Sequence, residues 1–411
     1  MPQSWRVTGL LGLVCFVAYL VRADVAVAQE RMVPAIGITM ATMAAITAWG
    51  FQLPYALFQV PAGMFGERVG ARTALAVTLL ACGVSSLLTG LLPTGDAGMG
   101  TLIGTRVLLG TAQAAVFPVA AMAVVAHVPA GERVRATSIY IAISALGAAA
   151  APLLMAPTME QFGWRAVFLL SGIVGLATAV VWLMLMPAGT PHHELGRTPL
   201  SAGARSEVLH VVRNAAVVRL SVAYLLHSAT WFVFVFWFFR YLTEGRGFTV
   251  LASGFWGSLP SMAGVVLAPL IGAGADALGR RIGSLRARRR VAMACLLTSA
   301  VCVAAGATLP SAYLAVAALS LSSGCINGAE APFFTTVTAL SVTNPGSAAG
   351  FLNLFGNLGG VLSIWVVPRM SEAWGWDGTL AFWSGVCLVA ALLWLTIPVG
   401  DEPPSVPAHT G

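Results

Sequence analysis

The chain contains no lysine: all 22 of its basic residues are arginine. Charge of either sign is scarce, at 9% of 411 residues, and residues 32–66, 166–193, 291–329 and 331–368 hold none at all. Together with 58% hydrophobic residues and a mean hydropathy of +0.86, this excludes a water-soluble domain. The missing lysine removes Schiff-base chemistry and the phosphate-cradling Gly-Lys-Ser loop. There is no His-rich metal motif and no Ser–His–Asp arrangement, so the reading is no enzyme, no metal and no cofactor. Cys15, Cys82, Cys295, Cys302, Cys325 and Cys387 lie singly in apolar runs and read as small buried hydrophobes, without disulfide or metal spacing.

What is present is hydrocarbon-compatible helix. About 20 apolar residues cross a bilayer as a helix, which keeps its backbone hydrogen bonds internal. Cutting the chain at Gly, Pro and charged clusters gives twelve spans, among them 7–28, 43–66, 98–126, 216–243, 311–336, 347–368 and 378–399. With the N-terminus inside, fifteen arginines fall in cytoplasmic segments: Arg6, Arg68, Arg72, Arg133, Arg135, Arg197, Arg205, Arg213, Arg219 and six from Arg280 to Arg290. Only Arg31, Arg165, Arg246 and Arg369 fall opposite, which orients both termini to the cytoplasm. Orientation also accounts for the +7 net charge, so nucleic acid is not an expected partner; membrane lipid is. Arg6, the apolar run after it and Ala26-Val27-Ala28 resemble a signal peptide, but Arg22 and Asp24 interrupt the run, and the first helix is expected to be retained.

The chain divides into six helices (1–187), a polar linker (188–214), six more helices (215–400) and a disordered tail (401–411). The halves repeat each other. Gly63-Met-Phe-Gly-Glu67-Arg68-Val-Gly70-Ala-Arg72 follows the second span, and Gly272-Ala-Gly-Ala-Asp276-Ala-Leu-Gly279-Arg280-Arg281 follows the eighth. Each has Gly, a carboxylate four residues on, Gly three later, then arginine. Ala112-Gln113-Ala114 and Ala329-Glu330-Ala331 correspond on the fourth and tenth spans. Six-plus-six duplication is characteristic of many secondary transporters, with the site at the midplane. Arg22, Arg106, Arg240 and Glu330 lie within spans, where each costs roughly 2.5–3.5 kcal/mol on insertion scales, and so mark candidate function.

These residues resemble the major facilitator superfamily: Gly63–Arg72 looks like its loop 2–3 signature and Arg106-Val-Leu-Leu-Gly110 like its fourth-helix signature. Within it, the chain resembles the anion:cation symporter family. That likeness rests on Tyr19-Leu-Val-Arg22, Tyr55-Ala-Leu-Phe-Gln59-Val-Pro-Ala-Gly63, Gln113-Ala-Ala-Val-Phe-Pro118 and Gly350-Phe-Leu-Asn353-Leu-Phe-Gly-Asn357-Leu-Gly-Gly360. The resemblance implies an all-α polytopic membrane protein of twelve transmembrane helices in two pseudo-symmetric six-helix bundles. It also implies alternating-access transport of a small organic anion by a monomer in a bacterial inner membrane, with protons as the candidate coupling ion. Drug or cation efflux, or a non-transporting sensor, stay open as alternatives.

Arg22 is the first candidate anion anchor, because a guanidinium keeps its charge and presents a fork matched to carboxylate; a structural arginine bonded to backbone carbonyls is the alternative. The resemblance extends substrate contact to Tyr19, Tyr55 and Asn353, with Gln113 alongside, although helix packing would also explain them. Val21 stands where the family usually has Asp and Gln113 where it usually has Glu, so both carboxylates expected to carry protons are missing. Glu330, opposite Gln113 in the internal repeat, becomes the candidate proton carrier; pairing with Arg106 or Arg240, or no proton coupling at all, are its alternatives. Asp24 and Arg22 do not face each other on a helix. Arg106, Arg240, His227 and Asn357 are accessory candidates. For Arg240 the choice is between snorkelling and a second anion contact, and for His227 between packing and titration. Gly63, Glu67, Arg68, Gly70 and Arg72 form an expected gating latch, with Glu67 meeting the helix N-terminus near Ser347 and Asp276, Arg280 and Arg281 forming the partner latch.

Overall fold

The structure, a computed structural model, describes residues 3–93, 96–187 and 204–398. All elements among the described residues are helical. Most of the expected linker (188–203) and the expected tail (401–411) lie outside the described residues, whereas the linker's end forms the helix Ala204–Arg213.

Among the described residues, ten helical stretches are long and apolar enough to cross a membrane. Twelve spans are nevertheless accounted for. Pro345–Leu393 is two helices joined at Gly375, whose φ of 68° and ψ of −179° break the helical path; that left-handed φ favours glycine. The expected span at 43–66 is broken into Met40–Ala45, a π-helical segment Ile46–Gln52, Leu53–Leu57 and Gln59–Val69, so no single piece reaches spanning length. The seventh span ends at Phe236, earlier than its hydropathy suggests, and a π-helical turn, Tyr241–Gly245, follows.

The chain forms two compact units. The first comprises residues 1–127, 143–208 and 343–350, and its core packs Leu20, Met32, Ile46, Leu102, Met155 and Phe168. The second comprises 128–142, 209–342 and 351–411, with Val233, Leu242, Val303, Leu319 and Trp383 in its core. Large apolar side chains also point outward, as Leu153 (77% exposed) and Met184 (76%) do, which suits hydrocarbon and not water. The six cysteines are buried, as expected of small hydrophobes.

The internal repeat is not residue-for-residue. Gly70 ends its helix with φ 83°, but Gly279 is inside a helix that runs on to Ile282, and Gly283 (φ 90°) makes the corresponding break. Counted from the carboxylates, the second copy is one helical turn longer.

Candidate functional site

The first helix, Gln3–Arg22, ends in a turn at Ala23, and a second helix begins at Asp24. Residues two apart diverge by about 200° around a helix, so Arg22 and Asp24 enter separate environments.

Arg22 is half-buried, and its Nη2 donates to the side-chain oxygen Oε1 of Gln52 at 3.0 Å. Its guanidinium carbon lies 4.6 Å from the Tyr55 ring centroid, 4.7 Å from that of Phe51 and 5.7 Å from that of Tyr19. Phe51 and Tyr55 stack at 5.8 Å with 12° between their planes. Among the described residues no carboxylate pairs with Arg22 and no backbone carbonyl accepts from it. Ring quadrupoles attract the cation by roughly 0.5–2 kcal/mol each, but they do not neutralise it. Arg22, Tyr19 and Tyr55 are therefore brought together as the resemblance implied. Phe51 and Gln52 were missed, because the π-helical segment Ile46–Gln52 alters which residues of the second span share a face.

Asp24 meets Arg106. Both are buried, with 3.3 Å between Asp24 Oδ1 and Arg106 Nη1. Ser86 donates to the second carboxylate oxygen at 3.1 Å, and Arg106 Nη2 donates to Thr89 Oγ1 at 2.9 Å. Arg106 thus organises its helix by hydrogen bonding, through an acid that the sequence reading had not paired with it. A signal was available: an interior arginine requires a counter-charge, and Asp24 is an acid inside the first candidate span, 7–28.

Gln113 is buried and its Nε2 donates at 2.8 Å to the Ala18 carbonyl of the first helix. Its amide is spent on joining two helices.

In the second unit, Tyr224 donates its hydroxyl to Glu330 Oε1 at 3.3 Å. The Tyr224 ring stacks on His227 (5.3 Å, 17°), and His227 Nε2 lies 2.8 Å from the Ile326 carbonyl oxygen. Glu330 pairs with neither arginine considered for it: Arg106 holds Asp24, and Arg240 bonds Glu244 at 2.7 Å in an exposed i,i+4 pair. That pair lies past Phe236, where the apolar helix ends. Asn353 is buried, and its backbone carbonyl accepts from Asn357 Nδ2 at 2.8 Å.

The two latch carboxylates each cap a helix. Glu67 Oε1 accepts from the Ser347 backbone N–H at 2.8 Å and Oε2 from its hydroxyl at 2.8 Å, in the first turn of the helix beginning at Pro345. Asp276 accepts from the N–H groups of Arg135 (2.8 Å) and Val134 (3.3 Å), in the first turn of Arg133–Phe162. Each carboxylate satisfies N–H groups without an intrahelical partner and faces the positive end of the helix dipole. Gly63 packs directly on the Gly346 backbone, where a Cβ would collide. Arg72 donates to the Leu183 carbonyl, while Arg280 and Arg281 are exposed and line a surface cavity with Ala277 and Leu278.

The family model of the Major Facilitator Superfamily matches residues 11–364. The chain belongs to that superfamily. It is an integral membrane protein of twelve helices in two six-helix bundles, in a family of transporters and not of enzymes. It is 28% identical to the D-galactonate transporter of Escherichia coli O6:H1 over 410 residues, covering 94% of this chain and 93% of that one. It is 26% identical to GudP of Bacillus subtilis, named a probable galactarate/D-glucarate transporter, over 430 residues, covering 96% and 92%. Among solved structures it resembles FucP, a Major Facilitator Superfamily transporter crystallised in an outward conformation. That likeness has a TM-score of 0.75 at 12% identity and covers 94% of this chain and 98% of that one, which speaks for the fold alone.

Proposed function

We propose that this protein is a secondary transporter of a small organic anion, with a sugar acid such as an aldonate as its substrate class, working by alternating access. The observation that carries this reading is Arg22: a permanent cation within an apolar helix, ringed by Tyr19, Phe51 and Tyr55, whose hydrogen-bond partner is a neutral amide. A carboxylate is the ligand that such a fork lacks. The relatives named for galactonate and for galactarate or glucarate support the substrate class. Tyr19, Tyr55 and Asn353 would bond substrate hydroxyls and carboxylate oxygens; Gln113 is assigned to helix packing. The helix caps made by Glu67 and Asp276, with Gly63, Arg68, Gly70, Arg72, Arg280 and Arg281 around them, serve the conformational change. The bundles span 1–187 and 215–400, and the protein works as a monomer in a bacterial inner membrane with both termini cytoplasmic.

Proton coupling is assigned to Glu330, whose carboxyl bonds a tyrosine hydroxyl and no arginine among the described residues. The test is uptake of D-galactonate and a panel of other carboxylates into proteoliposomes, with and without an imposed pH gradient. Native protein is expected to accumulate a carboxylate, and Arg22→Gln to abolish uptake. Glu330→Gln is expected to keep exchange but lose the response to the gradient. Gradient-driven accumulation surviving in Glu330→Gln rules out that carboxyl as the carrier.

A further inference from the structure

The partner that Arg22 has in the absence of substrate is set by an irregularity in the chain. Residues Ile46–Gln52 form a π-helical segment, and the Leu53 N–H bonds the Ala48 carbonyl five residues back instead of four. Single π turns inside α-helices recur at functional sites because they rotate the following residues out of register. Here the segment ends on Gln52, and the side chain delivered there accepts from the Arg22 fork at 3.0 Å. Gln52 and Arg22 are both half-buried, so the contact is open to displacement and is not sealed in a core. Three aromatic rings lie against the guanidinium.

We infer that Gln52 is a placeholder: its side-chain oxygen occupies on Arg22 the position that a substrate carboxylate takes, and substrate entry displaces it. The inference rests on the proposed role of Arg22 and adds what compensates that residue when no substrate is bound. A bare guanidinium in an apolar bundle pays the full desolvation penalty. A neutral amide relieves part of it, yet binds the fork less strongly than a carboxylate, which brings the opposite charge and can accept two parallel bonds from a guanidinium. The empty carrier can then change conformation, while any carboxylate outcompetes the amide. Gln52 thereby sets both apparent affinity and the ease with which the unloaded protein returns.

The experiment compares native protein, Gln52→Met and Gln52→Glu in proteoliposomes, reading net D-galactonate uptake and galactonate–galactonate exchange separately. Loss of one hydrogen bond to a charged group corresponds to roughly a ten- to 150-fold effect. Gln52→Met, close in size but with no oxygen, is therefore expected to lower KM by about that factor. Its maximal net uptake should fall several-fold while exchange, which never passes through the empty carrier, stays near native. Gln52→Glu keeps the side-chain shape and supplies a charged competitor, so its KM should rise more than tenfold; it carries the test alone should Gln52→Met fail to fold. Native KM together with a native net-to-exchange ratio in Gln52→Met, or native KM in Gln52→Glu, overturns the placeholder. If Arg22→Gln is inactive while the Gln52 variants behave as native, the placeholder falls and the anion anchor stands. If native protein moves no carboxylate of the panel, both fall.

Discussion

Arg22 and Arg106 are the same residue type in apolar helices of the same unit, and the protein treats them in opposite ways. Arg106 is 2% exposed and meets the fully buried Asp24, with Ser86 and Thr89 taking up further hydrogen-bonding capacity. Arg22 is half-buried and receives one amide oxygen and three ring faces. One cation is compensated permanently, from within. The other is left with a charge that a passenger can satisfy. In the proposed reading of Arg22, the contrast separates a structural charge from a functional one by its partners.

The comparison can be broken from either side. Asp24→Asn should cause the largest effect on stability, because removing one member of a buried pair leaves an uncompensated charge costing about 3–5 kcal/mol. Thermal unfolding of the purified protein reads this, and replacing both Asp24 and Arg106 by apolar residues of similar volume should recover most of it. A single variant as stable as native would mean that the pair is not the framework it is taken for. Arg22→Gln should do the reverse, changing the unfolding transition by about 1 kcal/mol or less, as is usual away from buried networks. It should cost about 2–5 kcal/mol in carboxylate binding, the range for truncating one partner of a hydrogen-bonded charge pair. An Arg22→Gln protein with lowered stability and native substrate affinity would exchange the two roles. Gln113 offers the smallest and sharpest discrimination. Gln113→Leu removes the bond to the Ala18 carbonyl and should lower stability by about 0.5–1.5 kcal/mol with KM unchanged; a raised KM would return Gln113 to the substrate site.

The spans were legible because a bilayer imposes one rule, about 20 apolar residues per crossing, and the charge-free runs obey it. The cap made by Glu67 on Ser347 was legible too: a carboxylate among closely spaced glycines at the end of an apolar span has few buried positive partners, and a helix N-terminus is one. The break of the second span was not. A π-helical segment needs no special residue, and Ile46–Gln52 has none to announce it, so Phe51 and Gln52 could not be placed beside Arg22 by helical periodicity. Nor could the pairing of Asp24 with Arg106 be read directly, across 82 residues of chain. Glu330 was singled out as an acid within an apolar span, but its partner Tyr224, 106 residues away, was not. In the repeat, Gly279 fits the pattern while Gly283 makes the turn, because the helix from Val250 continues for one turn more than its counterpart.

By itself the sequence determined that this chain lives in a membrane, how many times it crosses, and which few charges hydrocarbon must accommodate, because transfer from water to lipid is additive along the chain. Only the tertiary structure decided which of those charges are neutralised. Compensation depends on distances of about 3 Å between residues far apart in the chain, and these are fixed by how helices break and pack, not by composition.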